Sequence, residues 1–129
     1  MRSTKLEWED AHDVKIKIER ILKVLELPHI KAQNIHCYRT EGSKSRAYAR
    51  IWSMPKIFQR ALKLEPHYVI EVLARYYDRL DEDEKSKVII HELLHIPQNF
   101  SGALVPHKTR SRLLGKTANK LFEIYKNSI

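Results

Sequence analysis

Apolar residues recur every three or four positions along the first part of the chain, a spacing that predicts an amphipathic helix. Thr4 and Glu7 have the spacing of a capping box, and Pro28 marks the end of the segment. The sequence therefore predicts a first helix that begins after Thr4 and ends before Pro28. Its apolar stripe consists of Trp8, Ala11, Val14, Ile18, Ile21, Leu22 and Leu25.

Two segments alternate between apolar and polar residues with a period of two, as half-buried β-strands do. They are residues 34–39 and 47–52, and the stretch 41–45 between them is rich in turn-forming residues. We therefore predict that the two strands form a hairpin. A third strand is predicted at Tyr68–Leu73, after Pro66 imposes an extended conformation on the residue before it.

Three further helices are predicted. Pro55 opens a short helical segment at residues 57–62. Asp81 stands three residues before Glu84 as a helix cap, and the helix that follows is stopped by Pro97. After a loop over residues 97–109, a basic C-terminal helix is marked by Leu114, Ala118, Leu121, Phe122 and Tyr125.

The length and the order of elements indicate one α+β domain that spans residues 1–129. We expect a small, mostly antiparallel sheet of about three strands. It should pack on the N-terminal helix and on the helix that follows Asp81, with the basic C-terminal helix beside them.

Cysteine content and hydropathy indicate the compartment. Cys37 is the single cysteine, so an intramolecular disulfide is excluded, as is usual in a reducing cytoplasm. No apolar run approaches the roughly 18 residues that a membrane span requires, and the N-terminus does not resemble a signal peptide. We therefore expect a cytoplasmic protein without a membrane partner.

The net charge of +8 points to an acidic partner or a polyanion. The excess lies in two blocks: residues 39–63 carry seven basic residues against one acidic residue, and residues 97–129 carry six against one. Basic and aromatic side chains interleave in the first block, and a second basic strip covers residues 108–120. Both segments are candidate contacts for nucleic acid.

The helix that follows Asp81 contains the sequence His-Glu-Leu-Leu-His at residues 91–95, which is an H-E-x-x-H motif. His91 and His95 are four residues apart, so on a helix they point in the same direction and can both bind one Zn²⁺ ion. Glu92 is placed to act as a general base on a zinc-bound water. The spacing therefore predicts a hydrolytic zinc site.

A catalytic zinc ion needs a third protein ligand. Downstream of the motif the candidates are His107, which a loop containing Gly102 can return to the metal, and Glu123 in the last helix. We favour His107, while Glu123 and the upstream residues His36 and His67 stay open as alternatives.

The motif and its surroundings resemble a small metallopeptidase family of archaea and phages. The resemblance rests on residues 91–97, 100–107, 49–52 and 66–72, and covers roughly residues 30–110. It implies a minimal zincin-like domain, similar in plan to SprT-like metallopeptidases, some of which act on DNA-bound proteins. In this family His91, His95 and His107 would hold zinc, and Glu92 would be the catalyst.

In a zincin-like arrangement the strand Tyr68–Leu73 would border the cleft, where an extended peptide could pair with it. Tyr68 or His67 would then bind substrate near the oxyanion. The first hypothesis is therefore a zinc-dependent endopeptidase. The alternative is a basic zincin-like hydrolase or binding module that acts on nucleic acid or on DNA-bound proteins.

Overall fold

A mixed β-sheet forms the centre of the computed structural model, which describes residues 5–106 and 111–129, with side chains from residue 115 onward in the last helix. The described strands are β1 (Glu7–Asp10), β2 (Ile35–Glu41), β3 (Ala49–Trp52) and β4 (Tyr68–Leu73). The described helices are α1 (His12–Val24), α2 (Lys56–Leu62), α3 (Ala74–Tyr77), α4 (Glu82–Leu93) and α5 (Ser111–Ser128).

The strand order is β1-β2-β4-β3. The β1–β2 and β4–β3 pairs are antiparallel, whereas β2 and β4 are parallel. Helices α1, α4 and α5 pack together on one face of this sheet, which we call the inner face. The α+β class, the strand at Tyr68–Leu73, and the helices after Pro55 and Asp81 are thus confirmed.

The predicted hairpin is wrong. Strands β2 and β3 are not neighbours, because β4 lies between them. Nearly every residue of β4 is buried, on both faces, which suits a central strand that has a partner on each side. The more polar β3 takes the edge, and the connection from β2 to β3 crosses the end of β4. This arrangement also makes the sheet mixed, because β2 and β4 are parallel, and the strand beyond the three expected is β1.

The predicted start of the first helix is also wrong. Residues Glu7–Asp10 form strand β1, and α1 begins only at His12. Thr4, the proposed cap, lies outside the described residues. Pairing with the edge of β2 outweighs the local helical pattern, and the Ala11 N–H continues the pairing by donating to the Cys37 carbonyl.

The core lies between the inner face and the helices. Ile70 and Val72 of β4 pack there against fully buried side chains of α1 and α4, such as Ile18 and Ile89. The α4 helix is therefore fixed along a buried face. Among the described residues, no helix is long and apolar enough to cross a membrane.

Candidate active site

The start of helix α4 is held by a complete capping box. The Glu84 N–H donates to the Asp81 carboxylate at 2.8 Å, and the Asp81 N–H donates to the Glu84 carboxylate at 3.4 Å. Acidic residues fill the first turn, where the helix dipole favours negative charge. The helix that carries the H-E-x-x-H motif is therefore well defined at its start, as its sequence predicts.

Apolar side chains of α4 carry the motif to the edge of the core. Ile89, Ile90 and Leu93 are buried, and the rings of His91 and His95 lie on one side with their centroids 5.3 Å apart. This is the juxtaposition that the four-residue spacing predicts. It suits two imidazoles that bind one ion.

His95 lies just beyond the end of α4 and is bonded to Val105 twice. Its ring Nδ1–H donates to the Val105 carbonyl at 2.7 Å, and the Val105 N–H donates to the His95 carbonyl at 2.7 Å. With the proton on Nδ1, Nε2 is the ring nitrogen that has a lone pair for a metal ion. Metal-binding histidines in proteins typically carry this kind of second hydrogen bond, so the observed geometry fits a metal ligand.

Glu92 stands between the two histidines in the sequence. Its side chain is buried, and only 9% of the residue's surface is exposed. Burial disfavours the charged carboxylate and raises the pKa of Glu92 to about 7. A bound divalent cation would favour the carboxylate and act in the opposite direction. A buried carboxyl group with a raised pKa beside two histidines is typical of a catalytic acid or base.

Residues 97–106, which we call the return loop, bring the chain from the end of α4 back to His95. Gly102 adopts φ +94°, and its carbonyl accepts a hydrogen bond from the Met54 N–H at 2.8 Å. The Gln59 amide donates to Met54 and Ser101 carbonyls at 2.8 and 2.9 Å. The loop is thus fixed to the start of α2, a contact that no sequence pattern indicated.

Tyr68 also holds the return loop. Its buried hydroxyl donates to the Ala103 carbonyl at 2.8 Å and accepts a hydrogen bond from the Gly102 N–H at 2.8 Å. The ring packs edge-on against Phe100. In this structure the hydroxyl binds the loop, and a contact between Tyr68 and substrate stays a prediction.

A cleft of about 340 Å³ opens beside the motif, between the start of β3 and helices α4 and α5. Its lining includes Tyr48, Ala49, Lys87, His91, Glu92 and Asn119. Two residues of the motif, His91 and Glu92, are therefore accessible from this cleft. The residues contributed by β3 and α5 were missed, because sequence spacing does not reveal which strand lies beside α4.

The structure corrects the strand that borders the cleft. Strand β4 is hydrogen-bonded to β2 along one edge and to β3 along the other, so a peptide cannot add to Tyr68–Leu73. Strand β3 lies at the end of the sheet order, and Ala49 lines the cleft. The edge that remains for strand addition near the motif is that of β3.

The upstream histidines lie together. His36 Nε2 and His67 Nδ1 are 2.9 Å apart, and the two rings stack. Glu123 is exposed on α5. Within residues 5–106 and 115–129, no three His, Cys, Asp or Glu side chains converge on a possible metal position, so His36, His67 and Glu123 are not brought to His91 and His95. His107 lies outside the described residues.

Ion pairs engage two arginines of the basic block 39–63. Arg39 lies between Asp13 and Asp78, at 2.9 and 3.0 Å, and Arg50 lies 2.7 Å from the buried carboxylate of Glu71. Part of the positive charge that suggested a nucleic-acid contact is therefore neutralised by carboxylates within the fold. The start of the second segment, 108–120, lies outside the described residues.

Comparison with known proteins gives one match. A family model described as "Putative phage metallopeptidase" matches residues 6–123, which is nearly the whole chain. No curated protein and no solved structure is significantly similar to the chain. The family match agrees with the resemblance seen in the sequence, and it implies a metal ion and a peptide or protein substrate.

Proposed function

Because the chain belongs to the phage metallopeptidase family, we propose that it is a zinc-dependent endopeptidase with Glu92 as its general base. The observation that carries the proposal is the set of contacts around His95. Its Nδ1–H donates to Val105, its ring lies beside that of His91, and the buried Glu92 lines the same cleft as His91. Imidazole nitrogens that bind the metal ion and a carboxylate that acts as the base are what metal-assisted hydrolysis of an amide requires.

His91, His95 and His107 are the proposed zinc ligands. Val105 is hydrogen-bonded to His95. His107 follows Val105 by two residues, so chain connectivity keeps the Cα atoms of Val105 and His107 within about 7 Å of each other. The alternative ligand Glu123 is exposed. Among the described residues it does not converge with the two histidines on a possible metal position. These observations support His107 as the third ligand.

The chemistry divides between the ion and Glu92. A bound zinc ion supplies a Lewis acid that polarises the scissile carbonyl and acidifies water. The Glu92 carboxylate accepts a proton from the attacking water and then donates it to the leaving amine. Burial of Glu92 keeps bulk water away from this carboxylate and supports a pKa suited to both steps.

The substrate would bind as an extended strand along the edge of β3. Ala49 lies in β3 and lines the same cleft as His91 and Glu92, so a peptide paired with this edge would run past the base. Tyr68 is a positioning residue in this proposal, because its hydroxyl holds the return loop that supports His95. His67, which pairs with His36, is not assigned a contact with the reacting atoms.

The test compares metal content and hydrolysis in four proteins. Glu92→Gln should keep zinc and lose at least about 100-fold in kcat for a quenched fluorescent peptide substrate. His107→Gln should lose zinc, whereas Glu123→Gln, the matched control for an exposed carboxylate, should retain both zinc and activity. Zinc is measured by atomic emission on dialysed protein. A parent protein without zinc, or a fully active Glu92→Gln variant, would refute the proposal.

A further inference from the structure

Helix α2 presents large apolar side chains to solvent. Ile57 is 71% exposed, Phe58 55% and Leu62 60%, and Leu64, just beyond the helix, is 48% exposed. No residue of α2 is buried. Isolated exposed apolar residues are common on protein surfaces, but four within eight consecutive positions of one projecting segment form a patch that usually has a binding role.

The hydrogen bonds that attach α2 to the rest of the fold do not involve these side chains. Gln59 holds the helix through its amide, which donates to the carbonyls of Met54 and Ser101. At the other end Lys63 adopts a left-handed conformation with φ 55°, and the Leu64 N–H donates back to the Gln59 carbonyl. In the described part of the chain, the apolar side of α2 therefore stays largely exposed to solvent.

Cations accompany the apolar side chains. Lys56, Arg60 and Lys63 belong to the same segment, and no acidic residue occurs between residues 42 and 64. At about 100° per residue, the apolar positions of α2 span an arc of roughly 140°, and the three cations lie on the opposite side. The segment is thus a small basic amphipathic helix with its apolar side exposed.

We propose that α2 and the adjoining Lys63 and Leu64 bind the surface of an anionic lipid bilayer. The apolar side chains would enter the boundary between headgroups and acyl chains, while the cations would lie among anionic headgroups. This proposal differs from the sequence-based expectation of no membrane partner, which rested on the lack of a spanning segment. Surface binding needs no such segment.

Charge and hydropathy favour a bilayer over a second copy of the chain and over a nucleic acid. A second copy of this chain would bring three more cations against Lys56, Arg60 and Lys63, and like charges disfavour the contact. A nucleic acid would satisfy the cations but would leave Ile57 and Leu62 exposed. An anionic bilayer accommodates both features at once, and a short helix that uses both gives reversible binding.

Hydrogen bonds link α2 to the return loop. The Gln59 amide that holds α2 also donates to Ser101 in the return loop, and the same loop continues to Val105 and His95. The helix is therefore tied to the segment that supports the proposed metal site. Lipid binding itself does not depend on catalysis, so it can be tested separately.

The test is cosedimentation of the full chain with vesicles, with and without the Glu92→Gln change. We expect binding to vesicles of equimolar phosphatidylcholine and phosphatidylglycerol, and at least about tenfold weaker binding to pure phosphatidylcholine. Ile57→Ser combined with Phe58→Ser should weaken binding about tenfold or more, as should Lys56→Glu combined with Arg60→Glu. Glu92→Gln should bind vesicles like the parent.

Matched controls alter similar residues elsewhere. Ile16→Ser removes an isoleucine of α1 that is 60% exposed, and Lys23→Glu combined with Lys120→Glu makes the same change in charge on α1 and α5. Both controls should bind anionic vesicles within about twofold of the parent. Circular dichroism verifies that each variant is folded, and the charge variant tests the proposal even if the serine variant unfolds.

Three results would overturn the proposal. The first is no binding of the parent to anionic vesicles. The second is equal loss of binding in the α2 variants and the matched controls, which would indicate a general effect of charge. The third is a dimer in sedimentation velocity that Ile57→Ser and Phe58→Ser abolish, which would assign the patch to a second copy of the chain.

Discussion

His95 and Val105 are joined by two hydrogen bonds of 2.7 Å, one from the imidazole Nδ1–H of His95 and one from the N–H of Val105. The pair connects the end of helix α4 to the end of the return loop. The first bond fixes the orientation of the imidazole ring, and the second fixes the backbone that leads toward His107. The precision of the proposed metal site therefore depends on the residues that hold the loop.

Gly102 provides the most local test of this dependence. A Cβ atom at this position would lie 2.3 Å from Gln59 Nε2 and 2.5 Å from the Met54 carbonyl oxygen, and φ is +94°. Gly102→Ala should therefore lower the free energy of unfolding by about 1–3 kcal/mol and weaken zinc binding. Urea unfolding and competition with a zinc chelator measure the two effects.

Gly115 is the matched control for Gly102. It lies in helix α5, and a Cβ atom there meets no described atom within 4 Å. Gly115→Ala should stabilise the protein by about 0.5–1 kcal/mol, because alanine is the better helix former. Unchanged stability and zinc affinity in Gly102→Ala would contradict the role assigned to the loop.

Tyr68→Phe tests whether this hydroxyl supports the loop or acts on substrate. Its removal leaves the Gly102 N–H and the Ala103 carbonyl without their partner, which should cost about 1–3 kcal/mol of unfolding free energy. Tyr38→Phe, on the sheet face opposite the helices, should cost much less. Unaltered stability with a large fall in kcat would instead favour a role for Tyr68 in oxyanion stabilisation.

Substitutions of His95 and His36 should have very different effects on the zinc content of the protein. His95→Gln should abolish stoichiometric zinc binding, because it removes a proposed ligand. His36→Gln should leave zinc content unchanged, because His36 pairs with His67 at 2.9 Å and not with the motif. Zinc analysis after dialysis measures both, and a loss of zinc in His36→Gln would restore the upstream histidines as candidate ligands.

Glu71 predicts how stability depends on pH. Burial alone would raise its pKa, but hydrogen bonds from Arg50, Thr40 and Trp52 outweigh burial and bring the pKa to about 2. Glu71→Gln should lower the free energy of unfolding by about 1.5–3 kcal/mol at neutral pH. Since the pKa is lower in the folded protein, this contribution is complete above pH 4.5 and is lost as the pH falls toward 2.

The measurement is urea unfolding of the parent and Glu71→Gln over this pH range. Glu41→Gln, an exposed carboxylate on β2, serves as the control and should differ little from the parent at any pH. The parent and Glu71→Gln should converge in stability near pH 2. A difference between them that stays constant with pH would show that the carboxylate charge does not provide the stabilisation.

Local sequence determined the elements that carry the chemistry. The cap at Asp81 and the apolar residues of α4 specify a helix, and four-residue spacing then places His91 and His95 on one side of it. Pro55 and the mostly apolar segment Tyr68–Leu73 were similarly informative. These predictions depend on neighbours within one helical turn or one strand, whose relative positions the backbone itself fixes.

The arrangement of these elements was decided only by tertiary structure. Strand β4 lies between β2 and β3 because it is buried on both faces, and β1 forms where a helix was expected because the edge of β2 offers unpaired hydrogen-bonding groups. The position of β3 beside the cleft and the hold of Tyr68 on Gly102 follow from this order. The sequence by itself determined the reactive motif, whereas long-range pairing and burial decided which residues surround and support it.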